Sequence, residues 1–209
     1  MVIEQGLSGY AAVVLAGGQG SRLGGVDKAS IEVDGRSLLE HALDAVVDAG
    51  EVVVVGEQVP TDRPVTFVLE EPRRGGPAAG LLTGRDALLR TFPTIAVLAV
   101  DMPRLHAGTF RRLHEAAVGH EGAVLADPDG RRQLAFVVET ARLDAVRPDR
   151  ERQHGLSVRA LLETVDLVEV APTGDEARDI DTWSDLRDLA SREESREESR
   201  EESRGESAG

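Results

Sequence analysis

The chain has 209 residues, of which 41% are hydrophobic and only 3% aromatic, and it carries a formal net charge of −14 with no cysteine. That length suits one domain whose core must be filled by Val, Leu and Ala. The acidic balance excludes a generic binder of nucleic acid or anionic membrane, and the missing cysteines exclude a disulfide framework and thiolate chemistry.

No apolar run approaches the roughly 20 residues of a membrane span, and residues 1–9 lack the basic start of a signal peptide. The expectation is a cytoplasmic protein without nucleic-acid or membrane partners. Residues 10–16 read as a buried strand. The segment that follows, from Gly17 to Lys28, holds five glycines together with Arg22 and Lys28, and Lys28 is the sole lysine beside 23 arginines. Residues 29–33 suggest an extended piece closed by an Asp34-Gly35 turn. Residues 37–49 place Leu38, Leu39, Ala42, Leu43, Val46 and Val47 on one helical stripe that stops at Gly50. A continuous apolar run at 51–56 reads as a strand covered on both faces, and 65–69 as a third strand.

After a second glycine-bearing loop at 72–77, the pattern predicts a helix over 78–91 and a strand over 94–100 that ends at Asp101-Met102-Pro103. A helix over 108–118 follows. Residues 122–126 and 134–138 form a hairpin around Asp127-Pro128-Asp129-Gly130. A helix over 156–164, a strand over 167–171 and a last helix from Thr182 complete the order. Alternating β and α elements predict a Rossmann-like three-layer α/β/α fold with a mostly parallel mixed sheet, the late hairpin adding an antiparallel edge. Residues 1–190 are expected to form the single domain. Residues 191–209 repeat Ser-Arg-Glu-Glu three times and offer nothing apolar to bury, so they read as a solvated tail.

In open α/β sheets ligands collect outside the carboxyl ends of the strands. The glycine loop at the first such end matches neither a Walker A loop, since Lys28 follows Asp27 and precedes Ala29, nor a dinucleotide fingerprint, since position 23 is leucine. Its amides, with Arg22 and Lys28 six positions apart, suit a triphosphate gripped from two sides. An idle surface loop is the plain alternative, disfavoured by the entropy of ordering five glycines. Asp101 at another strand end suits Mg²⁺, which takes one or two carboxylates plus substrate phosphates; a turn aspartate is the ordinary reading. Glu70-Glu71 and the Gly75–Gly80 stretch can approach a base, a carboxylate accepting from guanine N1–H and the N2 amino group, or can simply connect a strand to a helix through Pro77. Asp179 and Asp181 could reach a metal or an acceptor, while Thr182 and Asp185 resemble a helix capping box. The histidines show no metal-ligand spacing, and Ser21 and Ser157 lack a nucleophile elbow.

Leu15-Ala16-Gly17-Gly18, then Arg22-Leu23-Gly24-Gly25-Val26-Asp27-Lys28, resembles the signature of the nucleotidyltransferase family that includes molybdenum cofactor guanylyltransferases. Leucine stands where that family has methionine. The likeness continues through Gly76-Pro77-Ala78-Ala79-Gly80, Asp101-Met102-Pro103 and Asp179-Ile180-Asp181-Thr182, covering residues 11–189. It implies a nucleotide-diphospho-sugar transferase type of fold, transfer of GMP from GTP to a molybdopterin-type acceptor, Mg²⁺ as cofactor, and other cofactor-biosynthesis or molybdoenzyme-maturation proteins as partners. It further implies nucleotide contacts from Leu15, Ala16, Gly17, Gly18, Arg22, Lys28, Glu71, Gly76, Pro77, Gly80 and Asp101. Arg22, Lys28 and Asp101 would be catalytic, Asp101 would bind the metal, and Asp179, Asp181, Arg131, Arg132 and Gln133 would form the acceptor side. Glu71 is one methylene longer than the family's aspartate, and two aspartates replace the frequent asparagines of the last motif. Transfer from CTP, a sugar-phosphate or phospholactate acceptor, and a nucleotide-binding regulator without turnover remain the alternatives.

Overall fold

The computed structural model describes residues 9–17, 27–180, 182, 184, 185 and 187. Gly18, Arg22, Asp181 and the 191–209 tail therefore lie outside the described residues. The first strand, β1 (Ala11–Leu15), is buried along its whole length. After it come a single 3-10 turn at Lys28–Ser30 and a two-strand ribbon, β2 (Glu32–Val33) with β3 (Arg36–Ser37), joined by the expected Asp34-Gly35 turn. Helix α1 (Leu38–Ala45) opens with a full capping box between Ser37 and Glu40. It ends earlier than its apolar stripe suggests, leaving Val47 51% exposed instead of in the core. Strands β4 (Glu51–Val55) and β5 (Thr66–Val68), helix α2 (Pro77–Ala87) and β6 (Thr94–Ala99) follow. The remainder is α3 (Ala107–Ala116), β7 (Gly122–Ala126), β8 (Arg132–Glu139), α4 (Thr140–Val146), α5 (Val158–Leu161) and β9 (Leu167–Val170).

Seven strands form one sheet in the order β5-β4-β1-β6-β8-β7-β9. β1 pairs in parallel with β4 on one side and β6 on the other, so Leu15, Val55 and Ala99 end level with one another. The predicted hairpin is present, but it does not add an antiparallel edge. β8 is inserted antiparallel between β6 and β7, while β9 pairs in parallel with β7 as the outer strand. The reason lies in its apolar content: Ala135, Phe136, Val137 and Val138 are all buried, and a strand apolar on both faces belongs inside a sheet.

Alternate residues of β1 feed two cores. Ala12 and Val14 pack with Leu38, Leu39, Leu43, Phe110 and Leu113 of α1 and α3. Val13 and Leu15 pack on the other face with Ala78, Leu81, Leu82, Leu143 and Leu161 of α2, α4 and α5. This is the three-layer α/β/α arrangement. Gly84 allows it to close: a Cβ there would sit 2.5 Å from Val13 Cγ1. The chain leaves β1 over one face through α1 and returns beside β1 from the other face through α2. The crevice between the ends of β1 and β6 is therefore the switch point of the topology, where open α/β sheets take their ligands.

Candidate active site

Beyond Leu15 the ladder runs on for two more bonds. The Ala16 amide donates to the Val55 carbonyl at 2.9 Å, and the Val100 amide to the Leu15 carbonyl at 3.0 Å. The Ala16 N–H is therefore taken up by the ladder, while Ala16 and Gly17 both border the cleft described below. The chain re-enters the described region at Asp27, whose carboxylate accepts from the Ala29 amide at 3.1 Å and so caps the short turn carrying Lys28. Ala29 behind it is fully buried. Anchored on both counts, Lys28 projects its ammonium across the switch point, where Nζ donates to Asp101 Oδ2 at 2.9 Å.

Asp101 sits two residues past the end of β6, and its own carbonyl accepts from the Ile180 amide at 2.9 Å. That bond ties Ile180, and with it the neighbouring Asp179, to the strand end that carries Asp101. The capping role expected next to it is present: Thr182 Oγ1 accepts from the Asp185 amide at 3.2 Å and Asp185 Oδ2 from the Thr182 amide at 2.7 Å. Glu176, only 2% exposed, holds the same segment to α3. It accepts from Arg112 at 2.6 and 3.1 Å, from Thr109 Oγ1 at 2.6 Å and from the Thr173 amide at 2.6 Å. Burial pushes its carboxyl upward, but the hydrogen bonds from Arg112, Thr109 and the Thr173 amide outweigh burial and hold the pKa below its ordinary value.

A cleft of about 760 Å³ opens over these strand ends. Leu15, Ala16, Gly17 and Lys28 form one wall, Val55 and Gly56 the floor, and Ala99, Val100, Asp101 and Leu134 the side toward β8. The remaining wall is the β5–α2 loop, with Glu70, Arg73, Arg74, Gly76, Pro77 and Gly80. Of the expected nucleotide residues, the cleft thus gathers Leu15, Ala16, Gly17, Lys28, Gly76, Pro77, Gly80 and Asp101.

Glu71 is not among them. Its amide donates to Thr83 Oγ1 at 3.0 Å, and the hydroxyl also lies 3.2 Å from the Glu71 carbonyl, so the backbone of Glu71 is turned toward α2. Its side chain points outward and pairs with Arg150 at 2.9 Å, with the carboxylate side chain 68% exposed. Adjacent side chains in an extended segment alternate faces, so Glu70 is the carboxylate that lines the cleft. Sequence reasoning also passed over Arg73 and Arg74. A dibasic pair in a strand-end loop of so acidic a chain was the available signal.

The acceptor residues are divided. Arg131 Nη2 reaches Asp179 Oδ2 at 3.8 Å, at the rim beyond Asp101. Arg132 turns instead to Glu169 of β9 at 2.9 Å, and Gln133 is buried, its Nε2 donating to Asp127 Oδ2 at 2.7 Å to brace the hairpin turn. Neither is brought to the cleft. His41 Nε2 donates to the Val33 carbonyl at 2.9 Å, in keeping with a structural role.

Among the described residues no group of three or more His, Cys, Asp or Glu side chains could cage a metal. Asp101, the carboxylate of the cleft that meets Lys28 at the strand ends, fits a hard cation that completes its shell with water and substrate phosphates. No helix of the described residues is long and apolar enough to cross a membrane.

Residues 12–170 match the family of MobA-like NTP transferase domains. A probable molybdenum cofactor guanylyltransferase of Opitutus terrae is 37% identical over 135 residues, covering 62% of this chain and 66% of that protein. The molybdenum cofactor guanylyltransferase of Acidiphilium cryptum is 46% identical over 101 residues, covering 44% and 50%. The chain thus spans between half and two thirds of the length of these curated relatives. Among solved structures, the molybdopterin-guanine dinucleotide biosynthesis protein A of Archaeoglobus fulgidus superposes with a TM-score of 0.65 at 20% identity, over 86% of this chain and 96% of that one. Rv0371C of Mycobacterium tuberculosis, solved in complex with manganese, gives 0.63 at 19% identity over 87% and 97%. At those identities the likeness is one of fold.

Proposed function

The chain belongs to the family of MobA-like NTP transferase domains, and we propose that it transfers GMP from GTP to a molybdopterin-type acceptor and releases pyrophosphate. The observation that carries this reading is the Lys28–Asp101 pair, 2.9 Å apart at the β1/β6 switch point, in a cleft of about 760 Å³.

In the reaction an oxygen of the acceptor's terminal phosphate bonds to the α-phosphorus of GTP. The bond from that phosphorus to the oxygen bridging toward the β-phosphate breaks, and pyrophosphate leaves with the electron pair. Such a step asks the protein mainly to align two anions and to neutralise their charge. Lys28 supplies a cation at the phosphate end of the cleft, and Arg22, outside the described residues, would serve from the glycine loop. Asp101 would hold Mg²⁺, which when bound offsets phosphate charge. The base lies toward Glu70 and the Gly76–Gly80 turn, where α2 begins with Gly76 at φ 92° and Pro77 in its first turn. The acceptor would enter at the side of Asp179 and Arg131, a reading supported by the Ile180–Asp101 hydrogen bond, which ties Asp179 to the strand end carrying Asp101.

Pyrophosphate release, measured with GTP or CTP and with or without molybdopterin, tests the reading. Release is expected with GTP only when the acceptor is present. Preference for CTP, or turnover indifferent to the acceptor, would overturn it.

A further inference from the structure

The most unusual wall of the cleft is the turn between Pro72 and Gly75. The Gly75 amide donates to the Pro72 carbonyl at 2.8 Å, which leaves Arg73 and Arg74 at the two central positions. Arg74 has φ 59°, in the left-handed region where turns favour glycine or asparagine. An idle turn has no use for an arginine there. The turn is also fixed at both ends. Thr83 on α2 binds the Glu71 backbone, and the Gly155 amide donates to the Gly75 carbonyl at 2.8 Å.

Among the described residues neither guanidinium has an ion-pair partner. Most other described arginines find carboxylates, as Arg85 does with Asp144, Arg112 with Glu176, Arg147 with Asp86 and Arg150 with Glu71, and the exceptions Arg152 and Arg159 lie outside the cleft. Arg73 and Arg74 have no ion-pair partner among the described residues, yet both line the cleft together with Glu70. One loop therefore presents an acceptor group and two forked donors to the same ligand.

That arrangement fits the edge of one base. Guanine offers N1–H and its N2 amino group as donors, next to O6 and N7 as acceptors. A carboxylate can take the first pair, and an arginine binds the second in a bidentate manner. Cytosine and adenine each place an amino group where guanine has O6, so the guanidinium would meet a donor. Resting on the guanylyl-transfer reading, we propose that Arg73 and Arg74 select the nucleotide by donating to O6 and N7 of guanine, while Glu70 accepts from N1–H and N2.

Calorimetry in Mg²⁺ with GTP, CTP, 7-deaza-GTP and inosine triphosphate, with the acceptor KM from pyrophosphate release, on the wild type, Arg73→Ala, Arg74→Ala and the double variant, tests this. The wild type should bind 7-deaza-GTP about 3- to 10-fold more weakly than GTP, since the analogue keeps O6 and loses one of the two hydrogen bonds of a bidentate contact. The double variant should lose about 10- to 100-fold for GTP, the range of the whole bidentate contact, and no longer distinguish GTP from 7-deaza-GTP. Its discrimination against inosine triphosphate, which lacks N2, should persist because Glu70 is untouched. Both arginines are exposed, so the variants should melt as the wild type does. Unchanged discrimination in the double variant would overturn the proposal. So would normal GTP binding with a raised KM for the acceptor, which would give the arginines to the acceptor side. If the wild type itself prefers CTP, it is the guanylyl reading that fails, an outcome distinct from either.

Discussion

Replacing Asp101 by asparagine separates an ion pair that only stabilises the fold from one that serves the reaction. The Lys28–Asp101 contact is 2.9 Å long, with side chains 16% and 23% exposed. At an effective dielectric near 20, two charges so close attract by about 6 kcal/mol. Desolvation and the ordering of the lysine cancel most of this, and asparagine keeps an oxygen that can still accept from Lys28. The net loss of stability is therefore about 1–2 kcal/mol, a fall in Tm of about 2–8 °C for a domain of this size. A protein with the usual 5–15 kcal/mol of stability would remain roughly 99% folded or more at 25 °C, so a purely structural role predicts unchanged turnover. The proposed role predicts a loss in kcat/KM of about 10²–10³-fold, the cost of removing one charge-stabilising group. Pyrophosphate release and a thermal melt on the same preparation decide between them. A variant with the expected melting shift but kcat/KM within about threefold of the wild type would refute the catalytic assignment of Asp101.

Two further outcomes follow from the surroundings of the cleft. Glu176→Gln would turn an amide N–H toward donors on Arg112 or Thr173 and should cost about 2–4 kcal/mol in urea denaturation at pH 7. Because the folded-state pKa of Glu176 lies below its ordinary value of 4.5, its contribution is complete above that value and is lost as pH falls through the lower folded value, so the gap from wild type should narrow in acid. A gap that stays constant down to pH 3 would count against the network. Thr83→Val removes the hydroxyl bound to Glu71 and, at 2.8 Å, to the Ala79 carbonyl. It should cost about 1 kcal/mol of stability, with a severalfold rise in the KM for the nucleotide and little change in kcat. An unchanged KM would mean that the Gly155 bond alone holds the turn.

Most strands were legible because their signal is local. Val52 to Val55 and Ile95 to Leu98 are continuous apolar runs, and a strand covered on both faces needs nothing else. Helix ends were less legible. α5 spans only Val158–Leu161 where the pattern suggested nine residues, and α4 was missed because Thr140 continues directly from β8 with no glycine or proline between them. Thr140 is held by contacts that no local pattern encodes, its amide on the Pro93 carbonyl at 2.9 Å and its hydroxyl on the Phe92 carbonyl at 2.7 Å.

The alternating α/β order, a solitary lysine closing a glycine-rich stretch, and Asp101 at the end of a strand could be read from residue order alone. These depend on residue type, spacing and short-range backbone preference. Only the tertiary structure decided that β8 lies inside the sheet, that Ile180 brings the late aspartate segment to Asp101, and that Glu70 faces the cleft while Glu71 faces Arg150. The physical reason is that each of these turns on partners far apart in the chain. A carboxylate at the end of a strand can face either way, and here a threonine hydroxyl on a neighbouring helix settles which of two adjacent glutamates looks inward.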